Sequence, residues 1–225
     1  MQRKIFWILL AASVGSVAMA VADGLLLLPY AWKSGLKILV FGGLMLAFFA
    51  AFPGEQSRLK RLLRPKGRAL VPAAVLTAAV YAAVLIGYRL LKEQIDLEQI
   101  RQSLEQTAGV NAGNFIWVAA YIVLVNSFLE EIFFRGFAFL TLKNYVSARR
   151  ASAFSALCFA AYHGGMLRGW FHPLLTIAAF AGLFAAGCFF NRLDEKSESI
   201  YPAWMVHAGA NLAINTVGFL MMEIL

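Results

Sequence analysis

Residues 115–142 read FIWVAAYIVLVNSFLEEIFFRGFAFLTL and hold only three charged side chains, Glu130, Glu131 and Arg135. At about 20 residues per crossing the stretch is long enough to span a bilayer as one helix. Six further apolar runs flank it, at residues 5–28, 36–52, 69–91, 151–167, 173–190 and 200–225. With 61% apolar residues, 14% charged and a mean hydropathy of +0.70, the composition excludes an ordinary soluble domain. The class expected is all-α, a polytopic helical membrane protein with about seven transmembrane helices, six to eight if Asp23-Gly24 breaks the first run or a short re-entrant piece changes the count. No Gly/Ser linker or internal repeat interrupts the chain, so residues 1–225 read as a single integral membrane domain.

The net charge of +8 and pI near 9.7 are explained by where the basic residues fall. With the N-terminus in the cytosol, the inner stretches hold Arg3, Lys4, Arg58, Lys60, Arg61, Arg64, Lys66, Arg68, Lys143, Arg149, Arg150, Arg192 and Lys196. The outer stretches and their flanks hold Lys33, Lys37, Arg89, Lys92, Arg101 and Arg168, which leaves Arg135 alone inside a span. This asymmetry obeys the positive-inside rule and removes nucleic acid as a partner. The expected location is the plasma (inner) membrane, with the lipid bilayer as the surrounding partner. Arg3-Lys4, an apolar run and Ala18-Met19-Ala20 resemble a cleavable signal peptide, but the run continues past that site, which favours an uncleaved first span. Cys158 and Cys188 lie in apolar stretches without metal or disulfide spacing and read as small packing residues. Residues 93–106 have the spacing of a short amphipathic connector on the outer surface.

An ionisable group at the middle of a span costs roughly 2.5 to 3.5 kcal/mol, so several of them require compensation or a use. Five are present: Glu130, Glu131, Arg135, His163 and His207. Glu131 and Arg135 are i,i+4 neighbours with the acid N-terminal, the favourable order for an ion pair. Glu130 points about 100° away from Glu131 around the helix and is free to face a cavity. Asn126 with Glu130, and His207 with Asn211, repeat the i,i+4 spacing and give two polar stripes. Counted from the span ends, Glu130, His163 and His207 share one level, some 10 to 15 Å below the cytoplasmic surface at about 1.5 Å per residue. Taken singly, each has a plainer reading: a salt-bridged helix face, a helix-to-helix hydrogen bond, and for Phe159 simple packing. His172 and Asp23 read as boundary residues.

The three strings, E-E-x-x-x-R, F-x-x-x-H and H-x-x-x-N, occur in that order on three spans, as Glu130, Glu131 and Arg135, then Phe159 and His163, then His207 and Asn211. This pattern resembles the signature of the CPBP family, the CAAX proteases and bacteriocin-processing enzymes also called the Abi family, over residues 115–225. The resemblance implies an intramembrane endopeptidase related to the type II CAAX prenyl endopeptidase, open to the cytosol and acting on a peptide or membrane-protein substrate. It implies that Glu130 and His163 hold and activate water and that His207 and Asn211 stabilise the oxyanion. Glu131, Arg135 and Phe159 then orient the site.

Peptide hydrolysis needs an activated water and an oxyanion stabiliser, which these groups can supply without a cofactor. The mechanistic alternative is zinc held by Glu130, His163 and His207, although no H-E-x-x-H is present and Asn211 is a poor zinc ligand. The functional alternative is a transporter, immunity or scaffold protein that uses the polar cluster structurally, against which the lack of inverted repeats weighs.

Overall fold

The computed structural model describes residues 1–26, 28–167 and 171–225. Arg168, counted above among the outer basic residues, lies outside them, as does Leu27 of the first run. The chain is 86% helical, with no strands among the described residues. In order the helices are α1 (Gln2–Leu25), α2 (Tyr30–Ala51), α3 (Gln56–Leu62), α4 (Gly67–Leu91), α5 (Leu97–Ser103), α6 (Phe115–Asn144), α7 (Ala148–Gly164), α8 (Pro173–Ser197) and α9 (Tyr201–Met221).

Each apolar run carries one long helix. Five of these, α1, α2, α4, α6 and α8, are long and apolar enough to cross a membrane. The other two, α7 with 17 residues and α9 with 21, complete the seven runs. Both carry site histidines and are among the helices that enclose α6. Asp23 and Gly24 do not break α1, which continues to Leu25. The second helix starts at Tyr30, ahead of its apolar run, so Lys33 and Lys37 ride on α2 itself.

The centre of the bundle is α6, which packs against α1, α2, α3, α7, α8 and α9. From Glu130 to Leu142 every residue except Ile132 is buried, as expected of a helix enclosed by other helices. Phe133, Phe134 and Phe137 are fully buried in the main core with Phe41 and Phe48 of α2 and Ile8, Ala12 and Met19 of α1. By contrast α4 buries only Ala73 and leaves Val71, Val75, Ile86 and Leu90 exposed.

Two parts of α6, Ile122–Asn126 and Glu131–Thr141, are wound more widely, with i→i+5 hydrogen bonding. The Ser127 amide, for example, donates to Ile122 O. Wide turns of this kind are rare and concentrate at functional sites. Here they bracket Glu130.

Small residues let the site helices close on their neighbours. A Cβ on Gly209 of α9 would strike the Thr77 side chain of α4, and one on Gly187 of α8 would stand 2.9 Å from Ala156 Cα of α7. At the end of the bundle holding the N-terminus, Lys4 Nζ (2.8 Å), Tyr145 Oη (2.5 Å) and Arg58 Nη1 (3.1 Å) all donate to the Glu55 carboxylate. The cluster ties α1, α3 and the α6–α7 connection together. Burial pushes the Glu55 carboxyl up, but the Lys4 ammonium and Tyr145 hydroxyl outweigh it and hold it below its ordinary value. Between α4 and α6, Asp96 caps α5 by accepting from Gln99 N at 2.9 Å, and only Ile100 of α5 is buried. That is the form of an amphipathic connector.

Candidate active site

Glu130 lies at the middle of α6 with a relative exposure of 1%. Its two oxygens have different surroundings. Oε1 accepts from Asn126 Nδ2 at 2.6 Å, one turn back on α6, from Tyr162 Oη of α7 at 2.9 Å and from Lys37 Nζ of α2 at 3.4 Å. Oε2 has no hydrogen-bond partner among the described residues and faces His163 Nε2 at 3.9 Å and His207 Nε2 at 3.8 Å.

Both imidazoles are oriented from behind. His163 Nδ1 lies 2.8 Å from the Phe159 carbonyl, which can only accept, so Nδ1 carries the proton and Nε2 of the neutral ring is the open nitrogen. His207 Nδ1 lies 2.7 Å from Glu131 Oε1, so this nitrogen too carries a proton. The rings of Phe159 and Phe190 pack against His207, with centroids 5.7 and 5.5 Å away.

Glu131 therefore serves two groups. Its Oε2 is 3.1 Å from Arg135 Nε, and both side chains are fully buried. The approach is an ion contact without hydrogen-bond alignment, for the guanidinium nitrogens make no hydrogen bond among the described residues. The cation is held largely by aromatic faces, with Arg135 Cζ 4.1 Å from the Phe159 centroid and 5.0 Å from that of Phe190. Phe159 thus does more than pack: it stands between the arginine and the two histidines.

Asn211 sits one turn beyond His207 on α9, half-buried, with Nδ2 3.5 Å from the Ile122 carbonyl in the first wide turn of α6. One turn further on, Asn215 Nδ2 donates to Ala119 O at 3.2 Å. His207, Asn211 and Asn215 thereby form one stripe along the α6 face of α9.

All seven residues singled out in the sequence lie on the three central helices, and Glu130, Glu131, His163 and His207 meet within 4 Å contacts. Three neighbours were not singled out: Lys37, Tyr162 and Asp194. Lys37 is a correction, because it is not an outer flanking charge. Its side chain is buried against Asn126 Oδ1 at 2.6 Å, Glu130 Oε1 at 3.4 Å and the Tyr162 hydroxyl. Asp194, fully buried on α8, accepts from the Ala203 amide at 3.1 Å and so caps the helix that carries His207.

The zinc alternative can be weighed on the same atoms. Two imidazoles with acceptor-bound Nδ1 atoms are the usual background of metal-binding histidines. Against that, Lys37 places a cation beside the same carboxylate, and no group of three His, Cys, Asp or Glu stands at metal-holding spacing among the described residues.

Fold and cluster define a polytopic helical membrane protein with a buried carboxylate–imidazole site. The chain carries a domain matching the family model "Type II CAAX prenyl endopeptidase Rce1-like" at residues 112–213, just under half its length, consistent with the CPBP family and supporting a protease. All three motif strings fall within the matched residues, whereas Lys37 lies outside them. No curated protein and no solved structure matches the chain.

Proposed function

We propose that this protein is an intramembrane endopeptidase whose working group is the free oxygen of Glu130. The observation that carries the reading is the arrangement around Oε2: two open Nε2 atoms at 3.8 and 3.9 Å, a spacing that one water bridges. A water there donates one proton toward Glu130 Oε2 and the other toward His163 Nε2, which leaves an oxygen lone pair for the substrate carbonyl. As the water attacks, its proton passes to Glu130, which then delivers it to the leaving amine. His207 and Asn211 are the oxyanion donors in this reading. His207 must donate through Nε2, so it acts as imidazolium, held by the Glu131 carboxylate at Nδ1. Asn211 must turn its amide from the Ile122 carbonyl, a weak 3.5 Å contact.

The substrate is a peptide or membrane-protein segment reached from the cytosolic side, an orientation supported by the basic stretch at residues 58–68. The test is cleavage of a peptide library by purified protein, with Glu130→Gln as the control. Cleavage lost in a variant that still folds and inserts supports the reading. Equal cleavage by both excludes it.

The paired Nδ1 contacts favour zinc as a second mechanistic reading. Stoichiometric zinc in active protein, with activity lost on removal and regained on return, would replace the metal-free mechanism.

A further inference from the structure

Among the described residues Lys37 is the one buried ammonium that meets the site, and it comes from α2, outside the segment that carries the motifs. Its Nζ touches three groups from two other helices, Asn126 and Glu130 of α6 and Tyr162 of α7, and lies 4.7 Å from the Tyr162 ring centroid. We propose that Lys37 is the fixed counter-cation of Glu130, a positioning residue that anchors one carboxylate oxygen so that the other is free to act on water.

The argument starts from desolvation. A lone carboxylate in a bundle core takes up a proton in preference to staying charged, and a neighbouring cation reverses that preference. The groups facing Glu130 are Lys37 from α2, Asn126 and the neighbouring Glu131 from α6, Tyr162 and His163 from α7, and His207 from α9. Tyr162 is neutral, Glu131 is engaged with Arg135 and His207, and His163 presents an unprotonated nitrogen in its neutral form. His207, the imidazolium of the proposed oxyanion step, faces Oε2, so the cation that bonds Oε1 is Lys37. Asp23 of α1 is also within its electrostatic reach.

The same contacts fix geometry. With Asn126, Tyr162 and Lys37 all on Oε1, rotation of the carboxylate would break three hydrogen bonds at once, and Oε2 is held toward the histidines. A base anchored at one oxygen is pre-oriented for proton transfer at the other.

The catalytic half of this proposal rests on the peptidase reading; the charge half does not, and the experiment separates them. Full-length protein in detergent is treated at neutral pH with dicyclohexylcarbodiimide, which adds to a carboxyl only in its protonated form, and the label is located by peptide mass. Glu130 in the parent should resist labelling. Lys37→Met should raise labelling at Glu130 by about tenfold or more, the order set by removing one charge 3.4 Å away from a buried group, while Lys37→Arg stays close to the parent. On a cleaved peptide, Lys37→Met should lower kcat about a hundredfold while KM changes by less than about threefold.

Equal labelling of Glu130 in the parent and Lys37→Met overturns the proposal. The expected labelling in a protein that cleaves no peptide supports the counter-cation and removes the peptidase reading instead. If Lys37→Met is too unstable to label, the Lys37→Met, Glu130→Gln double variant decides. Recovered thermal stability supports the pairing, because the neutral amide needs no cation; continued instability overturns it.

Discussion

His207 Nδ1 and Glu131 Oε1 lie 2.7 Å apart, on two helices, although the residues are 76 positions apart in the chain. The contact links the two acids of α6 through one ring: Glu131 holds the Nδ1 side of an imidazole whose other nitrogen faces Glu130. Glu131→Ala should therefore lose activity even with Glu130 in place. An Nδ1 proton resonance of His207 shifted by its carboxylate partner in the parent, and absent from the variant, would verify the link.

Arg135 has a different kind of importance. Its removal strands Glu131 in the core without its charge partner, a loss that typically costs about 3 to 5 kcal/mol. Arg135→Ala should lower Tm in detergent well below that of Glu130→Gln. An Arg135→Ala protein that is as stable as the parent but inactive would make Arg135 a direct participant.

For Asn211→Ala we expect turnover slower by about a hundred- to a thousand-fold with substrate binding largely retained, the effect of removing one oxyanion donor. Asn215→Ala, one turn along the same stripe and bonded to Ala119 O, should instead act mainly on stability. Steady-state kinetics beside thermal melting distinguishes the two asparagines.

The Glu55 cluster should make the bundle acid-sensitive. Its folded-state value lies below the ordinary carboxylate value, so its contribution is present above that ordinary value and is lost as pH falls through the folded one. We expect Tm to drop below about pH 4.5, with Glu55→Gln removing about 1 kcal/mol of that dependence. Melting curves from neutral to acid pH check the sign.

A cysteine placed at Ser57 of α3 should resist an impermeant thiol reagent added to intact cells, because the orientation proposed above puts the adjoining basic stretch at residues 58–68 on the cytosolic side. Cys158 is buried and Cys188 half-buried, so both are first replaced by Ala. Ready labelling at Ser57 would invert the orientation.

Much of this arrangement was legible in the sequence because charge inside an apolar run is expensive and therefore conspicuous. Glu130, Glu131, Arg135, His163 and His207 stood out for that reason, and the i,i+4 spacing gave both the Glu131–Arg135 and the Asn126–Glu130 contacts. Lys37 did not stand out. One lysine close to the start of an apolar run has the same appearance as a side chain snorkelling to the interface, and only the earlier start of α2 and its packing on α6 turn it inward. Asp194 was hidden similarly, since α8 continues past the apolar run to Ser197. Tyr162 lies within the motif string, but a tyrosine among apolar residues carries no sign of its partner.

The wide turns of α6 bear on how this chain can change over generations. Each i→i+5 turn accommodates a residue more than an ordinary turn does, so the faces of α6 before and after Ile122–Asn126 are in register only at the present length. Deleting Leu124 would rotate the N-terminal part of α6 against its C-terminal part by about 100°. Either the Asn211 and Asn215 contacts with Ile122 and Ala119 or the presentation of Glu130 would then be lost. Substitutions in this segment can be absorbed one at a time, whereas a change of length cannot, and natural descendants of this sequence should vary in its letters while keeping its count.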